Sequence, residues 1–480
     1  MKLVKKALGI VAIGMAALAL TACGKGSANN DSSKPVHLTW YIDGTPQKDL
    51  KKVNKAVNKY IEPKYNVTVT LNQIDWGEYD QKMGTLANSG QKYDLAFSCS
   101  WLQSYNYLNN ARKGSFLDIT KYVDDSSKLK GAINKNFWKG ATIDGKLYGV
   151  PAQKEISATE FFVWNKALVD KYNIPYKKIQ TYAQLEPWLK EVKEKEGITP
   201  WFVNESYSNP TEFDQLAVTD GFDLEGNKNK VIDRYDTKKF QSKVKTMRDF
   251  VKKGYVNKDA SLVTANDVVG RKWLVSSTQM SPLDTATIKD TWKTDVVVSP
   301  MTDSVVTNSS ATGGTTVIGA NTDHPKEAFK LLKAVNTDPK LMNMLAYGIE
   351  GVHYKKTGKD TIKWMSAHER YTVPFYMFGN YFNLYHQDGA SADEWKILKK
   401  YNEDAKASPA LGFSFDTSKV TSQIAAMQNV DSEFKKTLNT GSVDPETALA
   451  NRDKKMKAAG SEKVINELQS QYNKWKKSNK

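Results

Sequence analysis

Cysteine is nearly absent from this chain. There are two in 480 residues, Cys23 and Cys99. One of them ends a leader, so a disulfide framework is excluded. Histidine is scarce as well. The five, His37, His324, His353, His368 and His386, are scattered without zinc spacing, and no metal is expected. No phosphate-binding Walker A pattern occurs, and beyond the leader no apolar run could span a bilayer. Nothing marks the paired carboxylates of a glycosidase or a histidine placed for a Ser/His/Asp set. Asp223 to Asn229 has the outline of a calcium loop. Its glycine is misplaced and Arg234 stands where the bidentate acid belongs, so a hairpin turn is expected. These absences point away from catalysis, and no cofactor is expected.

What is present begins at the leader. Lys2, Lys5 and Lys6 precede an apolar run from Ala7 to Leu20. The run closes on Leu20-Thr21-Ala22-Cys23, a bacterial lipobox, so residues 1–22 read as a lipoprotein signal peptide. Cys23 would carry the lipid, and two or more acyl chains hold a protein at a membrane far better than one. Residues 23–34 are rich in Gly, Ser, Asn and Lys and read as a flexible tether. Cys99 ends the apolar segment Leu95-Ala96-Phe97-Ser98, where a buried, inert thiol is expected. The net charge is +16, three of those charges being leader lysines. The remaining lysines alternate with acids, as in Lys190 to Glu196, without interleaved exposed aromatics. That describes a solvated surface and excludes a nucleic-acid face.

Periodicity divides the chain further. Val36, Leu38 and Trp40 alternate as a strand; Val53, Val57, Tyr60 and Ile61 form a helical stripe; Val67, Val69 and Leu71 alternate again. Tyr79, Met83 and Leu86 continue at helical spacing, and Tyr93 to Phe97 is a short apolar strand. This βαβαβ order predicts a parallel, doubly wound sheet, with ligands outside the carboxyl ends of its strands. Gly145 to Pro151 reads as a first crossing between lobes, and Ala311 to Thr316 as a second. Phe161 to Trp164 and Asp295 to Val298 read as strands, and Ala183 to Lys195 and Phe240 to Lys253 as helices. Pro325 and Asp338-Pro339 start helices, and Gly348 ends the second. The stretch from Asp416 is helical.

Several of these segments resemble the family 1 extracellular solute-binding proteins, the maltose-binding-protein-like class. The segments are Asp94 to Phe97, Gly114 to Ile119, Lys146 to Pro151, Trp164-Asn165-Lys166 and Asn321 to Lys333. Ile74 to Tyr79, Tyr347 to Tyr354, Gly412 to Asp416, Gly441 to Asp444 and Lys457 to Gly460 resemble the lipoprotein subgroup with a DUF3502-type C-terminal region. The resemblance implies an α/β, two-lobed, periplasmic-binding-protein-like clamp. Each lobe is expected to hold a mostly parallel sheet flanked by helices, with extra C-terminal helices. Residues 35–148 with 315–372 form the first expected lobe, and 149–314 with 373–480 the second. The implied role is a monomeric, lipid-anchored receptor that closes on a solute and delivers it to the permease subunits of an ABC importer.

The 12 Trp and 23 Tyr suit a carbohydrate, an oligosaccharide first of all, because aromatic planes cover sugar C–H faces while polar groups read hydroxyls. The candidate ligand residues are Trp40, Tyr41 and Asp43 at the first strand end, Asp75 and Trp76 at the second, and Trp101 after the third. Tyr148, Lys154 and Glu155 flank the first crossing. Gln279 to Asp284 matches the family's ligand-facing loop, although it lacks the aromatic often found there. Trp201, Trp273, Tyr376 and Tyr381 complete the set. A peptide or an amino-sugar derivative in the same clamp, a sensor or adhesin lipoprotein, and a lipid-anchored hydrolase are the alternatives.

Overall fold

The computed structural model describes residues 34–157 and 159–479. The signal peptide, the Cys23 lipidation site and all but the last residue of the tether lie outside them. The first sheet is built from β1 (Val36–Asp43), β2 (Val67–Ile74), β3 (Leu95–Ser98), β4 (Gly149–Pro151) and, much later in the chain, β11 (Thr315–Ile318). The spatial order is β2-β1-β3-β11-β4. β1 pairs in parallel with β2 and β3, whereas β11 runs against both β3 and β4. Helix α1 (Leu50–Tyr65) covers the sheet with Val53, Val57 and Ile61, the stripe that its spacing predicts. Asn66 closes α1 at φ 52°, in the left-handed region that asparagine tolerates. Helix α2 (Trp76–Asn88) starts where the Asp75 side chain accepts from Gly77 N at 3.2 Å.

The second sheet has β5 (Thr159–Asn165) at its centre, between β9 (Val275–Met280) and β10 (Val296–Pro300). Both pairings are antiparallel, which corrects the mostly parallel sheet expected in this lobe. The cause is the route of the chain. β5 runs away from the first crossing, while β9 and β10 run back towards it. Helices α3 (Tyr182–Glu196) and α4 (Lys238–Lys252) build the core of this lobe with Leu185, Leu189, Met247 and Phe250. A third sheet, β6 (Phe213–Ala217), β7 (Asp220–Asp223) and β8 (Val231–Asp233), is an antiparallel meander. Its β7–β8 hairpin spans the Asp223–Asn229 segment, as expected.

Two C-terminal features go beyond the expectation. Val373, Met377, Phe378 and Leu384 belong to the core of the first sheet, and so does β4. The expected boundaries gave all of these to the second lobe. Residues 401–413 form a third crossing strap. Asn402 holds Ile156 N (2.8 Å) and Lys154 O (2.7 Å), and Val305–Val306 pairs in parallel with Lys406–Ala407. Helix α5 (Pro325–Thr337) is followed by α6 (Pro339–Tyr347). α6 opens on an Asp338 cap and closes at Gly348, φ 84°. Helices α7 (Thr421–Asn439), α8 (Pro445–Ala458) and α9 (Ser461–Ser478) pack on the third sheet through Phe222, Met427, Val464 and Tyr472. No helix of the described residues is long and apolar enough to cross a membrane.

Candidate functional site

The carboxyl ends of the parallel strands and the cleft-side ends of β5, β9 and β10 face one another. Between them lies a cleft of about 490 Å³. Its first wall comes from the loop after β3 and the segment before β11, represented by Ser100, Trp101, Ser309 and Gly313. Its floor is the two crossings, with Lys154, Glu155 and Thr307. Its second wall carries Glu160, Gln279, Arg234 and the loop Ser208–Phe213.

Trp101 is the most prominent group here. Its indole N–H donates to Gly313 O at 2.9 Å and its ring rests on Phe97, centroids 5.8 Å apart, yet half of the residue is exposed, 50%. An aromatic fixed at one edge and bare on a face is a stacking platform. Lys154 and Glu155 form a short ion pair beside it, both largely buried. The Glu160 carboxyl has no hydrogen-bond or ion-pair partner among the described residues, and burial pushes it up to about 8. The Thr211 hydroxyl is buried without a partner on the same wall. The loop that carries it is pinned from behind: Asn209 N donates to Asn439 Oδ1 at 2.8 Å and Tyr182 Oη to Asn209 Oδ1 at 2.7 Å. The cleft therefore offers one apolar plane amid hydroxyls, carboxyls and cations. Among the described residues no three His, Cys, Asp or Glu side chains converge as metal ligands.

The family described as "Bacterial extracellular solute-binding protein" matches residues 55–351, more than half of the chain. This chain belongs to that family. The solute-binding protein also matches, over residues 409–477, a "Domain of unknown function (DUF3502)". It is 32% identical to a "Carbohydrate ABC transporter substrate-binding protein" of Streptococcus pneumoniae serotype 4, over 97% of this chain and 96% of that protein. Its fold is similar to that of the N-glycan transport solute binding protein NgtS of Streptococcus pneumoniae. For one NgtS structure the TM-score is 0.85 at 30% identity, covering 93% of this chain and 100% of that one. Against NgtS in complex with Man1GlcNAc it is 0.75, at 30% identity and covering 92% and 99%. Against the Man5GlcNAc complex it is 0.72, at 31% identity and covering 93% and 100%.

Of the candidate residues, the solute-binding protein brings Trp101, Lys154, Glu155 and Gln279 onto the cleft. Asp284 stands close by. Its carboxyl accepts from Ser281 N at 2.7 Å and is raised by burial, with Glu155 adding to the shift. Tyr376 lies behind the Trp101 platform, 5.8 Å from Phe97. Tyr381 is close enough to Glu155 and Asp284 for both to act on its hydroxyl, after burial.

The others do not meet the cleft. Trp40, Trp201 and Trp273 are core residues, 0%, 0% and 2% exposed, against Phe378, Tyr182 and Trp292 respectively. Each lies on the inward phase of its segment, where an indole gains more from burial than from a ligand. Tyr41 packs edge-on against Tyr93, and Tyr148 lies against the first core with its N–H on the Tyr107 hydroxyl. Asp43 is buried, which pushes it up to about 7. Asp75 serves as the cap of α2, and Trp76 opens on a separate groove beside Pro46 and Pro374. Cys99 is fully buried and raised to about 12, an inert thiol.

Sequence reasoning missed Glu160 and Arg234. Glu160 left a faint signal: it is one charge at the mouth of the apolar run Phe161–Trp164.

Proposed function

We propose that this solute-binding protein captures a neutral oligosaccharide between its lobes and hands it, unaltered, to an ABC permease. The observation that carries the reading is the half-bare Trp101 ring in a cleft whose lining mixes apolar groups such as Phe213 and Val305 with many polar ones. A pyranose would lay its C–H face on that ring. Lys154, Glu155, Gln279 and the wall hydroxyls would read its hydroxyl groups. Glu160, largely protonated near neutral pH, can donate as well as accept. Both walls come from one chain, which supports action as a monomer. The pneumococcal relatives named for carbohydrate and N-glycan transport support a glycan of that type. The similarity is higher to one NgtS structure than to the two NgtS glycan complexes, which supports a clamp that changes shape on binding ligand. The walls bind and orient, and no reaction is assigned to them. Lipid on Cys23 would hold the receptor beside its permease.

The test is a titration with Man1GlcNAc, Man5GlcNAc and a tetrapeptide, followed by calorimetry and by small-angle scattering. A glycan should bind and shrink the radius of gyration, and Trp101→Ala should weaken that binding about tenfold, which is about 1.4 kcal/mol. Binding of the peptide with neither glycan bound would sink the reading.

A further inference from the structure

A second cavity, about 450 Å³, opens behind the cleft. Glu160, Ser208, Arg234 and Gln279 belong to the walls of both, so the two spaces meet at those four side chains. The far wall is made by α7. Asp431 and Lys435, one helical turn apart, line it. Both lie inside the C-terminal region 409–477 whose family carries no assigned role.

The wall chemistry points to a ligand. Tyr235 and Ser277 are 2% and 4% exposed, and their hydroxyls have no hydrogen-bond partner. The same holds for Arg234 Nε, whereas Asp431 Oδ1 has Arg452 Nη2 at 4.0 Å. A buried polar atom without a partner is costly to keep, so three around one cavity mark a place where polar groups of a ligand are received. The wall defines the ligand class. Arg234 and Lys435 face two carboxyls, Glu160 and Asp431, that burial raises, so the cavity offers hydrogen-bond donors beside acceptors, which suits a polyhydroxylated group. Lys435 also differs from its neighbour. Lys436 is paired with Glu205 at 2.6 Å, whereas the Lys435 ammonium has no ion pair or hydrogen bond among the described residues.

We propose that the C-terminal region supplies one wall of a second glycan subsite, in which Asp431 and Lys435 of α7 receive the distal or branching sugars of an oligosaccharide held at Trp101. This rests on the glycan reading above. It predicts a length dependence: a short glycan fills the Trp101 cleft alone, and a longer one passes Glu160 and Arg234 to reach α7.

The test uses the whole mature chain and calorimetric titration with Man1GlcNAc and Man5GlcNAc. Lys435→Ala removes an exposed side chain, and Ala265→Trp fills the second cavity from its rim. Each should weaken Man5GlcNAc about tenfold while changing Man1GlcNAc by less than about twofold. Lys436→Ala should change neither. Equal losses for both glycans, or no loss for either, would overturn the subsite and leave α7 a structural role. If the wild-type protein binds neither glycan, the parent reading falls and this one with it.

Discussion

The Glu160 carboxyl stands where the cleft meets the second cavity, raised by burial from an ordinary value near 4.5 to about 8. An acid whose pKa is higher in the folded state binds more protons there than in the unfolded chain between those two values. Its contribution to stability is therefore whole below about pH 4.5 and is lost as pH rises towards 8. Glu160→Gln removes that loss. The stability difference between variant and wild type, from urea unfolding at a series of pH values, should shift in favour of the variant from pH 4.5 to 8 and then level off. A flat difference would mean that Glu160 ionises without penalty. At this scale the sequence was least legible. Trp101 and Trp201 are the same residue type, each beside a strand, yet one is 50% exposed and the other 0%. Position along the chain cannot report whether the opposite lobe or a helix such as α3 covers an indole.

Among the elements, the strand ends were read well and their partners less so. The βαβαβ order fixed three parallel strands, and with them the Trp101 loop at a carboxyl end. The direction of β5 against β9 and β10 was not legible, because an apolar run such as Phe161–Trp164 pairs equally well either way. Nor was the reach of α7. Its last residue, Asn439, is fully buried and holds the backbone N–H and side chain of Asn209, 230 residues earlier in the chain. Asn439→Ala strands those donors and should cost about 1–3 kcal/mol. The loop Ser208–Phe213 should then lose protection in amide hydrogen exchange while the first sheet keeps its own. Unchanged exchange at Asn209 would show that the loop is held by other contacts.

The whole molecule is two lobes spanned by three straps, with a C-terminal helical region bound to the second lobe. The proposed membrane address rests on Cys23, outside the described residues. Cys23→Ser should move the protein from the membrane fraction to the medium in a lipid-labelling and fractionation experiment, without altering the titration of the purified chain. Retention in the membrane fraction would remove the anchor.

The sequence by itself determined the parallel strands of the first sheet, the proline-started helix pair α5–α6 and the family. These rest on local periodicity, on punctuation by proline and glycine, and on ordered short motifs. The tertiary structure alone decided which aromatics face the cleft, that residues 401–413 make a third strap, and that α7 walls a cavity also lined by β9 and the turn after β8. Those outcomes depend on contacts between residues hundreds of positions apart. No local pattern encodes them, because burial is a property of what arrives from elsewhere in the chain.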